Sequence, residues 1–407
     1  MVKSAFAGAG IAGLAVLTVF LAMTSSAWAQ TAPTVASDRA AGYVIFPKIV
    51  SDPGDLFTTG HRTETLVQLT NLSSTARVVE CFYVDATTHC TSGTSTIDPI
   101  AGTCRTRADC TGNDTCDPSW SETNFFILLS PNQPEGWLVS GSTPVDSPGV
   151  GLIKPVPENF FVGELKCVQV DGTSISGGTG TVATTDTPIN ANDLKGEATI
   201  YDITRGAGST VDVRSYNAIG VQAVSSNGAT QTDKVMCLGA NTASTECAVA
   251  EYASCPATLI LNHFFDASSG GNATRTDLTL VPCSENLAVP TGQTSTAVQF
   301  LVFNEFEQRF SASTRFNCFV ETQLSLIDSR TGQESNSIFN IAVEGTLTGQ
   351  TRIRGVMGGE TNTGHGLLGV AEEFRTVSGG TTETGSAAFN LNYAGTNPNK
   401  ADFVRLP

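Results

Sequence analysis

Residues 62–71 read RTETLVQLTN, and residues 275–284 read RTDLTLVPCS. Each is followed, after a loop, by an aromatic-rich run: VVECFYVD at 78–85 and VQFLVFNE at 298–305. Such Thr-rich and aromatic-rich runs read as short strands, and each pair as consecutive strands of an antiparallel hairpin. Occurring once in each half of the chain, the pair predicts a duplicated β unit.

Elsewhere polar and apolar residues alternate with a period of two, which sets one face on a core and the other in water. Phe339, Ile341 and Val343 alternate with Asn340, Ala342 and Glu344; Phe389, Leu391 and Tyr393 with Asn390 and Asn392; Val320, Leu324 and Leu326 with Glu321, Gln323 and Ser325. Further short candidate strands include Tyr43 to Ile49, Glu164 to Val170, Ala198 to Ile203 and Leu259 to Phe265, separated by Gly, Asn, Asp and Pro. Apolar residues at helical spacing are scarce, and Gly366 to Phe374 is the one stretch that reads as a turn of helix. The expected fold class is all-β: two immunoglobulin-like antiparallel β-sandwich domains with a disulfide-stapled insertion loop. The expected boundaries are residues 43–228 for the first domain, with a Cys-rich loop over 90–116, and 232–407 for the second.

The 407 residues carry 38 Asp plus Glu against 22 Lys plus Arg, a net charge of −16, and contain 40 Gly. So glycine-rich and sparsely charged a composition excludes a coiled coil and a disordered acidic tail. The acidic balance, with no Lys/Arg-rich run, argues against a nucleic-acid partner. Lys3, the apolar run from Ile11 to Met23 and the small residues of Ala27-Trp28-Ala29 form an export signal over residues 1–29, with cleavage before Gln30. No later stretch of about 18 apolar residues exists, so no membrane helix is expected in the mature chain. The expected location is therefore periplasmic, cell-surface or extracellular.

All 11 cysteines lie beyond that cleavage point, where thiols oxidise, so disulfides are the expected state. Six precede residue 230 (Cys81, Cys90, Cys104, Cys110, Cys116, Cys167) and five follow it (Cys237, Cys247, Cys255, Cys283, Cys318), which puts the odd thiol in the second half. A Cys283–Cys318 bridge and local bridges among Cys90 to Cys116 are the expected pairings. Structural zinc would need CxxC pairs or histidine partners, and the spacing of Cys104, Cys110 and Cys116 offers neither. Asp109, Asp114 and Asp117 lack the order of a calcium loop and read as solvated carboxylates. Neither a metal nor a cofactor is expected.

The strings FPKIV, TLVQLTN, VVECFYVDA, GTCRTRADCTGNDTC, FVGELKCVQVD, LVFNEFEQRFS and GHGLLGVAEEF together resemble a group of secreted proteins of Gram-negative environmental bacteria with no assigned activity. The likeness runs from about Tyr43 to the C-terminus. It implies export and a β-rich, immunoglobulin-like build, and it transfers no catalytic residue. The run from LVQLTN through FYVDA also looks like the second and third strands of bacterial immunoglobulin-like modules, and FFILLSPNQPEGWLVS like a later hairpin.

Catalytic signatures are missing from the sequence: there is no GxSxG, HExxH, P-loop or strand-GxGxxG-helix unit. A hydrolytic triad would need His61, His89, His263 or His365 as base. Alternation places His263 with Leu259, Leu261 and Phe265 as a core residue, and the other three read as turn residues. Glycoside hydrolysis needs two carboxylates, normally from separate strands; the pairs beside aromatic residues, Glu305 with Glu307 and Glu372 with Glu373, are sequence neighbours. Trp120, Trp137, Tyr83, Phe306 and Phe310 are the candidates for a sugar-stacking face, although phenylalanines on alternating strands usually form core. The expected function is a secreted, non-catalytic surface or extracellular-matrix protein with a binding or structural role and a protein or glycan partner. The alternatives are a carbohydrate-binding module or a glycan-active hydrolase.

Overall fold

The computed structural model describes residues 34–407 except 53–60, 142–154, 157, 173–174, 177–180, 183–185, 205–209, 226, 268–271, 290–294, 329–332, 357–365, 378–382 and 397–400. The export signal expected over residues 1–29, and His365, lie outside the described residues. The chain is all-β, 59% strand and 5% helix, but it does not form two immunoglobulin-like sandwich domains.

Five sheets of three to six strands make up the fold among the described residues. Sheet 1 orders its strands Val35–Ala36, Ile219–Val221, Tyr43–Ser51, Phe161–Val170, Arg77–Asp85, Glu122–Leu129. Sheet 2 runs Val211–Asn217, Leu194–Thr204, His61–Asn71, Pro134–Leu138. Sheet 3 holds Val235–Leu238, Asp402–Arg405 and Glu285–Asn286. In sheet 4 the order is Arg309–Asn317, Ser295–Asn304, Thr348–Val356, Pro256–Phe264, Asn392–Thr396. Sheet 5 comprises Val320–Gln323, Asn272–Pro282, Leu367–Val377 and Glu383–Asn390. The five sheets stand as the blades of a five-bladed β-propeller, although distant strands interleave in most of them and none is a simple four-strand meander.

Burial explains why a two-sandwich reading fails. In a sandwich each sheet buries one face, so its strands alternate between buried and exposed. Arg77–Asp85 is instead buried at every position but its first, and Phe161–Val170 at every position but its second. Sheet 1 is covered on both faces. One face meets sheet 2 through Val44, Val79, Leu165, Val67, Leu69 and Ala198. Its other face carries Tyr43, Ile45, Phe82 and Val168 into a cluster with Met236, Val281, Leu368 and Val404, so residues from both halves share one core. Pro33–Pro407 accordingly forms one compact unit. A third cluster joins sheets 4 and 5 through Leu261, Phe300, Ile353, Leu278 and Ala371.

The disulfide geometry points the same way. In an immunoglobulin domain the bridge crosses from one sheet to the other. Here Cys81 and Cys167 sit directly opposite each other on neighbouring strands of sheet 1, with their Cα atoms 4.1 Å apart.

Three local readings also change. Ile341–Glu344 is a turn of α-helix, with the Asn340 side chain accepting from the Ala342 amide and Gly345 closing it in the left-handed region. Leu324–Ile327 is likewise helical, so the alternation beginning at Val320 ends at Gln323. Leu367–Val377, where a turn of helix was expected, is an eleven-residue strand paired along its whole length with Asn272–Pro282. Gly369 belongs there because a Cβ would lie 2.5 Å from the Thr279 carbonyl oxygen.

Candidate functional site

Five bridges join Cys81–Cys167, Cys90–Cys110, Cys104–Cys116, Cys237–Cys247 and Cys255–Cys283. Such a set fits an oxidising, extracytoplasmic environment. Cys283 therefore pairs with Cys255 and not with Cys318. The register that opposes Leu280 to Val320 ends there, because Cys318 turns at φ +51° and the Phe319 amide donates back to the Asn317 carbonyl at 2.5 Å. Cys318 stays a buried thiol outside these bridges.

The Cys-rich loop has a built stem. Thr88–Cys90 pairs with Cys116–Pro118, and the two local bridges tie the turns above that ribbon. Asp109 accepts from the Thr106 and Arg105 amides, and Asp114 from Ser92. These carboxylates thus serve the loop's own turns.

Just beyond the stem opens a cleft of about 1020 Å³. One wall is Asp117, Pro118 and Trp120 with Ala86 and Val162; the other is Asn317, Phe319 to Gln323, Leu326, Arg275 and Asp277. Trp120, at φ +51°, and Cys318, at the same φ, belong to one buried cluster behind the cleft. A left-handed backbone at a non-glycine residue costs on the order of 1–2 kcal/mol, so the packing around both must hold it.

Arg275, Asp277 and Glu321 are charged residues of the second wall, and Glu321 ties that wall to a buried ion network. The register of Tyr43–Ser51 slips between Phe46 and Ile49, at Pro47, which has no amide to give a ladder. Within that bulge Lys48 reaches across to sheet 5, where its ammonium meets Glu321 at 2.5 Å and also bonds Glu372. Glu372 takes a second cation, Arg214 of sheet 2, at 2.5 Å. Burial opposes the charge of Lys48, yet Glu321 and Glu372 outweigh it and hold the ammonium above the ordinary lysine range. Burial likewise disfavours ionised Glu372, but Lys48 and Arg214 bring its carboxyl below the usual range. Asp277 stands opposite Glu372 in the register; burial pushes it up to about 6, against the pull of Arg275 at 3.2 Å and of Lys48. Arg275 and Arg214 both lie over the Phe374 ring, at 4.3 and 5.0 Å.

Near the stem, Asp85, His89 and Glu158 offer ligand atoms within 4.8 Å of one another. His89 Nε2 lies 2.6 Å from Glu158, while Nδ1 lies 3.0 Å from the Thr87 carbonyl and 3.7 Å from Asp85. The two carboxylates flank different ring nitrogens of the imidazole. Ser119 donates to Asp85 at 2.7 Å rather than to the imidazole. The cluster is a hydrogen-bonded clamp, not a nucleophile with its base.

The sequence candidates fall largely outside the cleft. Trp137 is fully buried, its Nε1–H donating to the Tyr83 hydroxyl at 2.8 Å. Tyr83 is 1% exposed and Trp120 9%, so no aromatic platform faces solvent at these three positions. His263 is buried between the Phe264 carbonyl at 3.0 Å and the Thr351 hydroxyl at 2.8 Å, and burial lowers it to about 4. Glu305 caps Thr348 at a hairpin, and Glu372 and Glu373 project to opposite faces of their strand. Lys48, Arg214, Asp277 and Glu321 were not singled out by sequence. Their one signal is a charge set inside an apolar run, as Lys48 is in FPKIV.

No helix among the described residues is long and apolar enough to cross a membrane. No protein-family model matches the chain, and no curated protein matches it. Among solved structures it is similar to the CupB6 tip adhesin from Pseudomonas aeruginosa at 9% identity, over 88% of this chain and 93% of that one, with a TM-score of 0.12. At that TM-score the likeness carries no argument about fold or function.

Proposed function

We propose that this protein is exported by the general secretory route and acts as a non-catalytic component of the cell surface or extracellular matrix, with a binding or structural role. The observation that carries the reading is that the carboxylates of the second cleft wall, Glu321 and Asp277, and the buried Glu372 are each engaged by a cation. Glu321 is held by Lys48, Asp277 by Arg275, and Glu372 by Lys48 and Arg214 together. A glycosidase needs two carboxylates that face a sugar and exchange protons with it. Carboxylates fixed in ion pairs across three sheets instead hold the fold, and the stapled loop beside them presents a rigid surface.

Cross-linking on intact cells followed by mass spectrometry tests this reading. It should return neighbours from the outer surface or the matrix, and a panel of polysaccharides should yield no product after overnight incubation. Cross-links to cytoplasmic proteins alone, or product formation that disappears in Asp277→Asn, would overturn it.

A further inference from the structure

Sheet 4 buries one face against sheet 5, and its strands carry exposed and half-exposed side chains at the alternate positions. Val298, Phe300, Val302, Leu259, Leu261 and Ile353 point into the shared core, so the alternate positions of the same strands point outward. On that outward face Arg309 and Arg315 lie on the edge strand, and Arg352 and Arg354 lie two strands in; all four are exposed. The residues between them are Ser311, Ser313, Gln299 and Leu301, flanked by Gln350 and Asn262. Within the five strands no carboxylate occupies an outward position, and Glu305, just past the end of Ser295–Asn304, is taken up at the margin by the Thr348 amide and hydroxyl, in a chain with 38 Asp plus Glu and only 22 Lys plus Arg. Chance mixing of charge would put acids here first, so the segregation marks the face.

The register fixes the layout. Arg352 stands beside Leu301 and Ser311, Arg354 beside Gln299 and Ser313, and Arg309 and Arg315 close the two ends next to Phe303 and Ala297. At ordinary strand spacings the end arginines are about 20 Å apart along the strand and the central pair about 7 Å apart, with about 10 Å between the two strands that carry them. Arg352 lies over the Phe303 ring at 5.2 Å, and Arg354 donates to the Thr258 hydroxyl at 3.1 Å. Both guanidinium groups are thereby oriented while their remaining donors face solvent.

Resting on the extracellular, non-catalytic reading above, we infer that this face binds an anionic polysaccharide. Guanidinium forks match carboxylate and sulfate groups, and the intervening serine hydroxyls and Gln and Asn amides match sugar hydroxyls. A broad, flat, polar surface suits an extended chain better than a small molecule, which needs a concavity. It suits a protein partner less, because Leu301, Phe303 and Ile260 on the strands are only half-exposed, and the exposed Phe306, at 68%, sits in the turn beyond them rather than at the centre of the face. Stacking of nucleic-acid bases is equally disfavoured, since Arg352 already covers Phe303 and Arg375 covers Phe264 at 4.9 Å. The net charge of −16 does not forbid the contact, because in physiological salt fields decay within about 8 Å and the local face governs.

Affinity electrophoresis and calorimetry with polygalacturonate, heparin and neutral dextran test the inference on the full-length secreted protein. Polygalacturonate or heparin should bind with an affinity that falls steeply between 50 and 300 mM salt, and dextran should not bind. The quadruple Arg309→Gln, Arg315→Gln, Arg352→Gln, Arg354→Gln variant should lose at least tenfold in affinity while keeping its thermal midpoint; the Arg352→Gln, Arg354→Gln pair alone should lose a smaller factor. Unchanged affinity in the folded quadruple variant overturns the inference, as does dextran binding as well as the anionic polymers. So does a concentration-dependent self-association in ultracentrifugation that the quadruple variant abolishes, which would make a second copy the occupant. Wild-type protein that is cross-linked at the cell surface yet ignores both anionic polymers overturns the polysaccharide and leaves the surface role standing.

Discussion

Lys48 and Glu372 lie 324 residues apart in sequence and form an ion pair in which their side chains are 5% and 1% exposed. The pair joins sheet 1 to sheet 5, and Arg214 of sheet 2 completes it through the same carboxylate. Removing one member of a buried ion pair costs about 3–5 kcal/mol, because the remaining charges stay buried without their counter-ion. Glu372→Gln should therefore lower stability by about that amount. Since the pair ties both halves into one core, calorimetry should show one cooperative transition that moves as a whole. Two transitions, one unmoved by the substitution, would show that the halves fold independently.

The turns above the stem of the Cys-rich loop depend on bonds more than on burial, for Arg105, Thr106, Arg107 and Ala108 are all exposed. Cys104–Cys116 closes a separation of 12 residues, and bridges of that span contribute about 3 kcal/mol in the chain-entropy account. A Cys104→Ser, Cys116→Ser variant should keep the core transition of the wild type. Trypsin should nevertheless cut after Arg105 and Arg107 at least tenfold faster, as followed by mass spectrometry. Equal cleavage rates in both proteins would mean that the ribbon holds its shape without the bridge.

How far the sequence reveals this architecture depends on which interaction sets each element. Single strands such as His61–Asn71 and Arg77–Asp85 were legible, because Thr-rich and aromatic-rich runs and turn residues are local signals. Their pairing was not: the expected hairpin does not form, His61–Asn71 lying in sheet 2 and Arg77–Asp85 in sheet 1, just as Asn272–Pro282 and Ser295–Asn304 lie in sheets 5 and 4. Nor was the number of sheets. Whether sheet 1 is covered once or twice depends on which distant strands lie over it, and the only hint was the uninterrupted apolar run VVECFYV, in which Glu80 is the lone charge. Phe339–Glu344 misled for a related reason: a six-residue alternation also fits a helical turn, and Asn340 and Gly345 supply the caps that decide it. The charge network was invisible because Lys48, Arg214, Asp277 and Glu372 come from four separate strands. Pairwise meetings of that kind carry no spacing rule.

Glu80 offers a test of burial through pH. It is 3% exposed, accepts from the Asn124 side chain at 3.2 Å, and burial pushes its carboxyl up to about 8 despite that bond. A carboxyl that keeps its proton in the folded state while the unfolded chain loses it near 4.5 favours folding at low pH. Its contribution is complete below about 4.5 and declines as pH rises toward 8. Glu80→Gln removes that slope. Thermal melts at pH 5 should be little changed by the substitution, whereas at pH 8 the variant should be more stable by roughly 2 kcal/mol, a discounted share of 1.36 kcal/mol per pKa unit. A variant less stable at pH 8 than the wild type would show that ionised Glu80 has a partner.

His89 is the remaining titrating hinge, placed between Glu158 and Asp85 at the foot of the stem. Burial works to lower its pKa, but the hydrogen bond that its Nε2–H donates to Glu158 and the charge of Asp85 outweigh it, and the imidazole is raised above 6.5. A base whose folded pKa is raised stabilises the fold fully below its unfolded value and loses that contribution as pH climbs through the folded one. Glu158 is itself pushed up to about 7 by burial, partly offset by His89, so the two groups titrate together. NMR titration of the His89 ring should place its midpoint above 6.5 in the wild type. In Glu158→Gln the midpoint should fall, and the amides of Thr88–Cys90 should exchange faster above pH 7 than in the wild type. A midpoint at or below 6.5 in the unmodified protein would mean that the clamp does not hold the proton, and that the stem is fixed by its disulfides alone.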